Sequence, residues 1–166
     1  MRVLPKQPDA LHAEIATPEF RAVCEETFLG EDHPEASVVG FSYLKAGGYE
    51  NRPVLFAFNG GPGSPSAWLH FGLFGPRIAA CDADGMPPAR GPYALRDNPD
   101  CLTDLADIVL YDPPGAGYSR IFDEKFAAEC FGDHADASVA ASFIRAWLDR
   151  HGGADRPIYL CGESFG

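Results

Sequence analysis

The sequence predicts an α/β domain, a mostly parallel sheet with flanking helices, and three observations carry that expectation. Three short apolar runs, Arg52–Phe58, Ile108–Tyr111 and Ile158–Cys161, each lead straight into a glycine-rich loop, which is how strands of an α/β sheet end. Val54-Leu55-Phe56-Ala57-Phe58 is apolar at every position, so both faces of its strand are expected to be covered. An amphipathic pattern lies between the second and third runs. From Asp136 to Arg150, Val139, Ala140, Phe143, Ile144, Trp147 and Leu148 recur at steps of one, three and four, while Ser138, Ser142, Arg145 and Asp149 take the opposite face. Strand, helix and strand in that order make a right-handed crossover between parallel strands.

Each element follows in turn. Residues 1–36 hold Pro5, Pro8, Pro18 and Pro34 amid mixed charge and read as an irregular lead-in with a short helix near Glu19–Thr27. Ser37–Tyr43 has the β-branched and aromatic content of a strand, and Gly47-Gly48 supplies a turn. With the run at Arg52–Phe58 it suggests a hairpin at a sheet edge. The loop Asn59-Gly60-Gly61-Pro62-Gly63-Ser64-Pro65-Ser66 is too rich in glycine and proline to be helical. Beyond it, Trp68, Phe71 and Phe74 are expected to pack inward and His70 to be a polar turn residue. Residues 81–100 carry Asp-Gly, Pro-Pro, Gly-Pro and Asn-Pro steps and read as a surface excursion. The loop Asp112-Pro113-Pro114-Gly115-Ala116-Gly117-Tyr118-Ser119-Arg120 has Gly-x-Gly without the third glycine of a dinucleotide fingerprint, and no Gly-Lys-Ser/Thr follows either loop. Asp133 or Asp136 can cap the amphipathic helix, and Gly152-Gly153 stops it.

Composition narrows the function. A chain of 166 residues with 46% hydrophobic content can bury one sizeable core. Thirteen basic against 24 acidic residues give a net charge of −11, and no Lys/Arg cluster offers a track for a phosphate backbone, which excludes nucleic acid as a partner. Neither a signal peptide nor an apolar stretch of membrane-spanning length is visible, so the chain reads as cytoplasmic by default, with an exported form left open and no membrane partner. Cys24, Cys81, Cys101, Cys130 and Cys161 are scattered and never form C-x-x-C, so neither a metal site nor a cofactor is expected.

The chemistry concentrates at the third loop. Gly162-Glu163-Ser164-Phe165-Gly166 is Gly-x-Ser-x-Gly after a strand, the pattern of a nucleophile elbow, which makes Ser164 the candidate nucleophile and the N–H of Phe165 a candidate oxyanion donor. The Gly60-Gly61 pair lets further backbone N–H groups approach a substrate closely.

Taken in order, Asn-Gly-Gly-Pro-Gly, Asp-Pro-Pro-Gly-Ala-Gly-Tyr-Ser and Gly-Glu-Ser-Phe-Gly resemble the serine carboxypeptidase family of α/β-hydrolases, most of all its bacterial members. On this resemblance residues 37–166 are the amino-terminal portion of an α/β-hydrolase domain, ending at the elbow. The resemblance implies Ser164 as nucleophile, the N–H groups of Gly61 and Phe165 as oxyanion hole, and Asn59, Gly60 and Glu163 as the pocket for a peptide's terminal carboxylate. A carboxyl beside a carboxylate holds the pair only where one is protonated. The substrate would be a peptide or protein, cut at its carboxyl terminus.

Departures from the family pattern are also visible. Ser64 stands where many relatives carry a cysteine, Leu73 where many carry a second carboxylate-binding acid, and the loop at Asp112 is one residue short, which weakens any role for Asp112. In this fold the triad runs Ser, Asp, His. His12, His33, His70, His134 and His151 all precede Ser164, so the resemblance reads the chain as an amino-terminal fragment, inactive alone. Two alternatives stand beside it: another α/β-hydrolase, such as a proline-releasing aminopeptidase, and a catalytically inactive binding piece. Oligomeric state leaves no trace in the sequence.

Overall fold

The structure is a computed structural model that describes residues 2–7, 9–48, 51–153 and 155–166. Its centre is one eight-stranded sheet. Along it run β1 (Arg2–Val3), β3 (Phe20–Gly30), β4 (Ala36–Lys45), β8 (Asp107–Asp112), β5 (Val54–Phe58) and β10 (Ile158–Gly162) in that spatial order. β2 (His12–Ala16) lies beside β3, and β9 (Arg120–Ile121) beside β4. A separate two-stranded ribbon pairs β6 (Arg77–Ala79) with β7 (Leu95–Asp97). The expected surface excursion therefore leaves and returns through this ribbon, and residues 81–95 are exposed along it.

The sheet is mixed, not mostly parallel. Among the described residues only the β5–β8 and β5–β10 pairings are parallel, while the five other pairings in the sheet are antiparallel. Connection length explains the division. Antiparallel neighbours need only a short turn, whereas a parallel pair needs a crossover of a dozen residues or more. Residues 17–19 and 31–35 join β2, β3 and β4 and are too short for a crossover; the long segments after β5 and after β8 can return the chain in parallel.

Two expectations fail on the amino-terminal half. The segment read as irregular with a helix near Glu19–Thr27 instead contributes β2 and the 11-residue β3. The face of β3 turned inward carries Val23, Glu25, Thr27 and Leu29, all buried, and its two polar members conceal the alternation that marks a strand. They are tolerated because they are paired: Glu25 meets His151 Nε2 at 2.7 Å, and Arg150 donates to Thr27 Oγ1 at 2.9 Å. Nor do β4 and β5 form an edge hairpin, since β8 is inserted between them. Asp107, the first residue of β8, fixes that insertion. Its carboxylate accepts from Arg52 Nε at 3.1 Å, from the N–H of Lys45 at 3.0 Å and from Arg156, so the starts of β5, β8 and the approach to β10 share one buried anion.

Three helices and two irregular turns complete the fold of the described residues. α1 (Ala67–Leu69) continues into a π-helical turn, His70–Phe74; a 3-10 turn covers Leu102–Asp104. α2 (Glu124–Cys130), which sequence reading did not anticipate, starts at Asp123, whose carboxylate accepts from the N–H of Lys125. α3 (Asp133–His151) is the expected amphipathic helix, three residues longer at its start. Gly132 is its N-cap, and no side chain caps it; Asp133 and Asp136 instead lie in the first turn, where carboxylates complement the helix's positive end. Gly152 and Gly153 end it at φ +128° and +75°, both donating to the carbonyl of Leu148.

Both faces of the central strands are covered, as their uninterrupted apolar sequence requires. On one face Val54, Phe56, Val109 and Tyr111 pack against Val139, Phe143, Trp147 and Leu148 of α3. Phe143 approaches so closely that a Cβ at Gly40 would lie 2.6 Å from its ring. On the other face Ala57, Ile108 and Leu110 pack against Leu69 and Phe74. Ser142, expected on the outer face of α3, is buried, its hydroxyl turned back onto the carbonyl of Ser138 at 2.8 Å.

Candidate active site

The parallel strands β8, β5 and β10 share one direction, so the loops that leave their carboxyl ends emerge on one side of the sheet. Ser164 stands at the tip of the third loop with φ +58°. A left-handed backbone is uncommon for any residue with a Cβ, and here it turns an exposed hydroxyl-bearing residue sharply off the end of a strand. The surrounding glycines are the ones that contact demands. A side chain at Gly162 would overlap Gly166, and one at Gly166 would overlap the carbonyl of Phe58. The turn is closed by the N–H of Gly166 donating to the carbonyl of Glu163 at 2.9 Å and joined to β5 by the N–H of Glu163 on the carbonyl of Phe58 at 3.0 Å.

The first loop is packed against this turn. Gly60 is buried, and a Cβ there would lie 2.5 Å from both the carbonyl oxygen of Glu163 and the nitrogen of Phe165, and 2.9 Å from the Cβ of Ser164. Gly61 is exposed at φ +114°, a conformation that suits glycine, and the loop closes on itself through the N–H of Ser64 on the carbonyl of Gly60 at 3.0 Å. The side-chain oxygen of Asn59 accepts from the N–H of Leu69 at 3.1 Å, which leaves its NH2 group as the donor end. Asn59, Gly60, Glu163, Ser164 and Phe165 are thus adjacent, with Gly61 one residue outward; Glu163 and Phe165 are exposed. A cleft of about 550 Å³ opens beside them between Asn59, Pro113, Phe165 and the α3 residues Asp136, Ala140 and Ile144.

Asp112 is what sequence reading missed. It is only 2% exposed, and both carboxylate oxygens are engaged: Oδ1 accepts from the N–H of Ser66 at 2.7 Å, and Oδ2 from the N–H of Tyr118 at 2.9 Å. A side chain at Gly117, which sits at φ +54°, would overlap that carboxylate. Its carbonyl accepts from Ser119 Oγ at 2.6 Å, and the same hydroxyl accepts from the N–H of Val39 at 2.8 Å.

Other expectations near the site need revision. Trp68 and Phe71 are exposed, and of the three aromatics expected to pack inward only Phe74 does so. His70 is buried, not a surface turn residue. The Tyr43 hydroxyl and His70 Nε2 share a hydrogen bond, Phe71 stacks on the imidazole at 4.5 Å, and burial pushes its pKa down against the opposing charge of Asp112. Burial, with a smaller contribution from Cys101, holds the Tyr43 hydroxyl up at about 12, so it stays protonated. All five cysteines are free. Among the described residues His33, Glu35 and Asp123 place possible ligand atoms within 4.8 Å of one another. No helix of the described residues is long and apolar enough to cross a membrane.

No curated protein matches the chain. A family model does: the description serine carboxypeptidase fits residues 39–166, which run from the middle of β4 through all three loops to the turn at Ser164, and the chain belongs to that family.

Proposed function

We propose that this chain carries the nucleophile and the substrate-terminus pocket of a serine-type carboxypeptidase. The observation that supports it most is the strained, exposed backbone of Ser164 seated on Gly60. Ser164 Oγ attacks the carbonyl of the last peptide bond to form an acyl-enzyme, and the N–H groups of Gly61 and Phe165 receive the developing oxyanion. Neither N–H has a protein acceptor among the described residues, which is the state an oxyanion donor requires before substrate arrives.

Asn59 and Glu163 take the peptide's free carboxylate, with Gly60 lining the pocket. The NH2 of Asn59 is suited to this because its oxygen is already occupied by Leu69. Glu163 contributes a hydrogen bond only in its protonated form, since an ionised carboxylate is acceptor-only. A general base is still needed, and in this fold the acid and the histidine follow the nucleophile. His12, His33, His70, His134 and His151 all precede Ser164, so none of them occupies the position that this order gives the base. No cofactor is required for this chemistry.

Labelling tests this reading. Full-length protein treated with a fluorophosphonate probe should be modified once, at Ser164, and Ser164→Ala should abolish the modification. Modification elsewhere, or none, would remove the proposal.

A further inference from the structure

We propose that Asp112 is the positioning residue that holds the Asn59–Ser66 loop in register with the loop Pro113–Ser119, and thereby sets the placement of the oxyanion donor on Gly61. The inference rests on the serine carboxypeptidase reading above and concerns a residue that touches no reacting atom.

The geometry is that of a two-sided clamp. The Asn59–Ser66 loop is fixed at its start by β5 and by Asn59, whose oxygen receives the N–H of Leu69. Its middle, from Gly60 to Ser64, is closed by one backbone bond and contains Gly61 and Gly63 at positive φ, where the chain has many other conformations open to it. Its far end is fixed by the N–H of Ser66 on Asp112 Oδ1 at 2.7 Å. The other oxygen of the same carboxylate holds the N–H of Tyr118 at 2.9 Å, at the far end of the second loop. One buried anion therefore ties the far ends of two loops whose starts already lie side by side on the paired strands β5 and β8. Bonds from N–H to an ionised carboxylate are about twice as strong as neutral ones, and those inside a buried site are not screened by water. A carboxylate suits this position because both of its oxygens accept. An asparagine offers one acceptor and turns an NH2 group against the second N–H.

The expected consequence separates a positioning role from a merely structural one. Ser119 is the matched control. It is equally buried, its hydroxyl bridges the carbonyl of Asp112 and the N–H of Val39, and it makes no bond to the Asn59–Ser66 loop. In the full-length enzyme, Asp112→Asn should lower kcat on a free-terminus peptide by about 10- to 100-fold with KM within about threefold, short of the roughly 100- to 1000-fold lost when an oxyanion donor is removed outright. Affinity for a peptide aldehyde, whose adduct with Ser164 needs the oxyanion hole, should fall by a similar factor. Ser119→Ala should keep kcat and aldehyde affinity within about threefold of wild type even where its Tm falls as far as that of Asp112→Asn. Ser66→Pro breaks the clamp from the loop side, since Ser66 sits at φ −61°, an angle proline adopts; it removes the N–H that Asp112 accepts, together with a hydroxyl that makes no capping bond. It should reproduce the Asp112→Asn kinetics if the aspartate variant does not fold. Unchanged aldehyde affinity in Asp112→Asn or Ser66→Pro, or losses that simply track Tm across all variants, would overturn the proposal. Fluorophosphonate labelling of wild-type Ser164 separates the two claims: without it the peptidase reading and this inference fall together, and with it unchanged Asp112 kinetics remove this inference alone.

Discussion

Ser164 lies at φ +58°, where its Cβ crowds the backbone, and the surrounding contacts hold it there: Gly60 beneath it, the bond from Gly166 to Glu163, and the bond from Glu163 to Phe58. A left-handed conformation costs a residue with a Cβ roughly 1–2 kcal/mol. Glycine does not incur that cost. Ser164→Gly is therefore expected to stabilise the folded protein by about 1 kcal/mol while removing the proposed nucleophile, whereas Ser164→Ala, which keeps the Cβ, should leave stability near wild type. Denaturant midpoints of the two variants check this directly, and a destabilised Ser164→Gly would mean that the serine is not strained in solution. Glycine chemistry at Gly60, Gly162 and Gly166 was legible in the sequence as punctuation. What Gly60 and Gly166 make room for was not, because Gly60 meets the turn at Glu163–Phe165 and Gly166 meets Phe58, partners distant in the chain.

Elements are held together at two places by groups that titrate. Burial of Glu25 on β3 opposes its charge, but the hydrogen bond from His151 and the charges of Arg150 and His151 at the end of α3 outweigh it and keep its pKa below the ordinary carboxylate value. His70 in the π-helical turn is pushed below its ordinary value near 6.5 by burial against β4. Both folded-state values are depressed, so both groups give stability that is complete above the unfolded value and lost as pH falls through the folded one. Apparent Tm should be level above about pH 7, decline below about 6.5 as the unfolded state takes up the proton that His70 resists, and decline further below about 4.5 as Glu25 is protonated. His70→Gln should flatten the first decline and leave the second. A wild-type Tm that rises on acidification across these windows would contradict the assignment. Glu25 also marks where strand reading failed: with Thr27 it puts two polar residues on the inward face of β3, a pattern explained only once His151 and Arg150 arrive from the other end of the chain. α3, by contrast, was legible because its apolar stripe needs no distant partner to be seen.

For the whole molecule, the order of the three loops proved more informative than the order of the strands. Each loop is a run of glycine and proline after an apolar strand, visible locally. Sheet order depends on which strands Asp107 and Arg156 draw together, so the insertion of β8 between β4 and β5 left no local mark. Asp112 was hidden for a related reason: its partners are the backbone N–H groups of Ser66 and Tyr118, which no residue type announces. Under the proposed function Ser164 releases residues from a free carboxyl terminus held by Asn59 and Glu163. Incubating the full-length enzyme with a peptide bearing a free carboxyl terminus and with its amidated twin, followed by mass spectrometry of both, decides it. Stepwise loss of carboxyl-terminal residues is expected from the free peptide, little or none from the amide, and none from either with Ser164→Ala. Equal processing of the two peptides, release from the amino end, or undiminished processing by Ser164→Ala would contradict it.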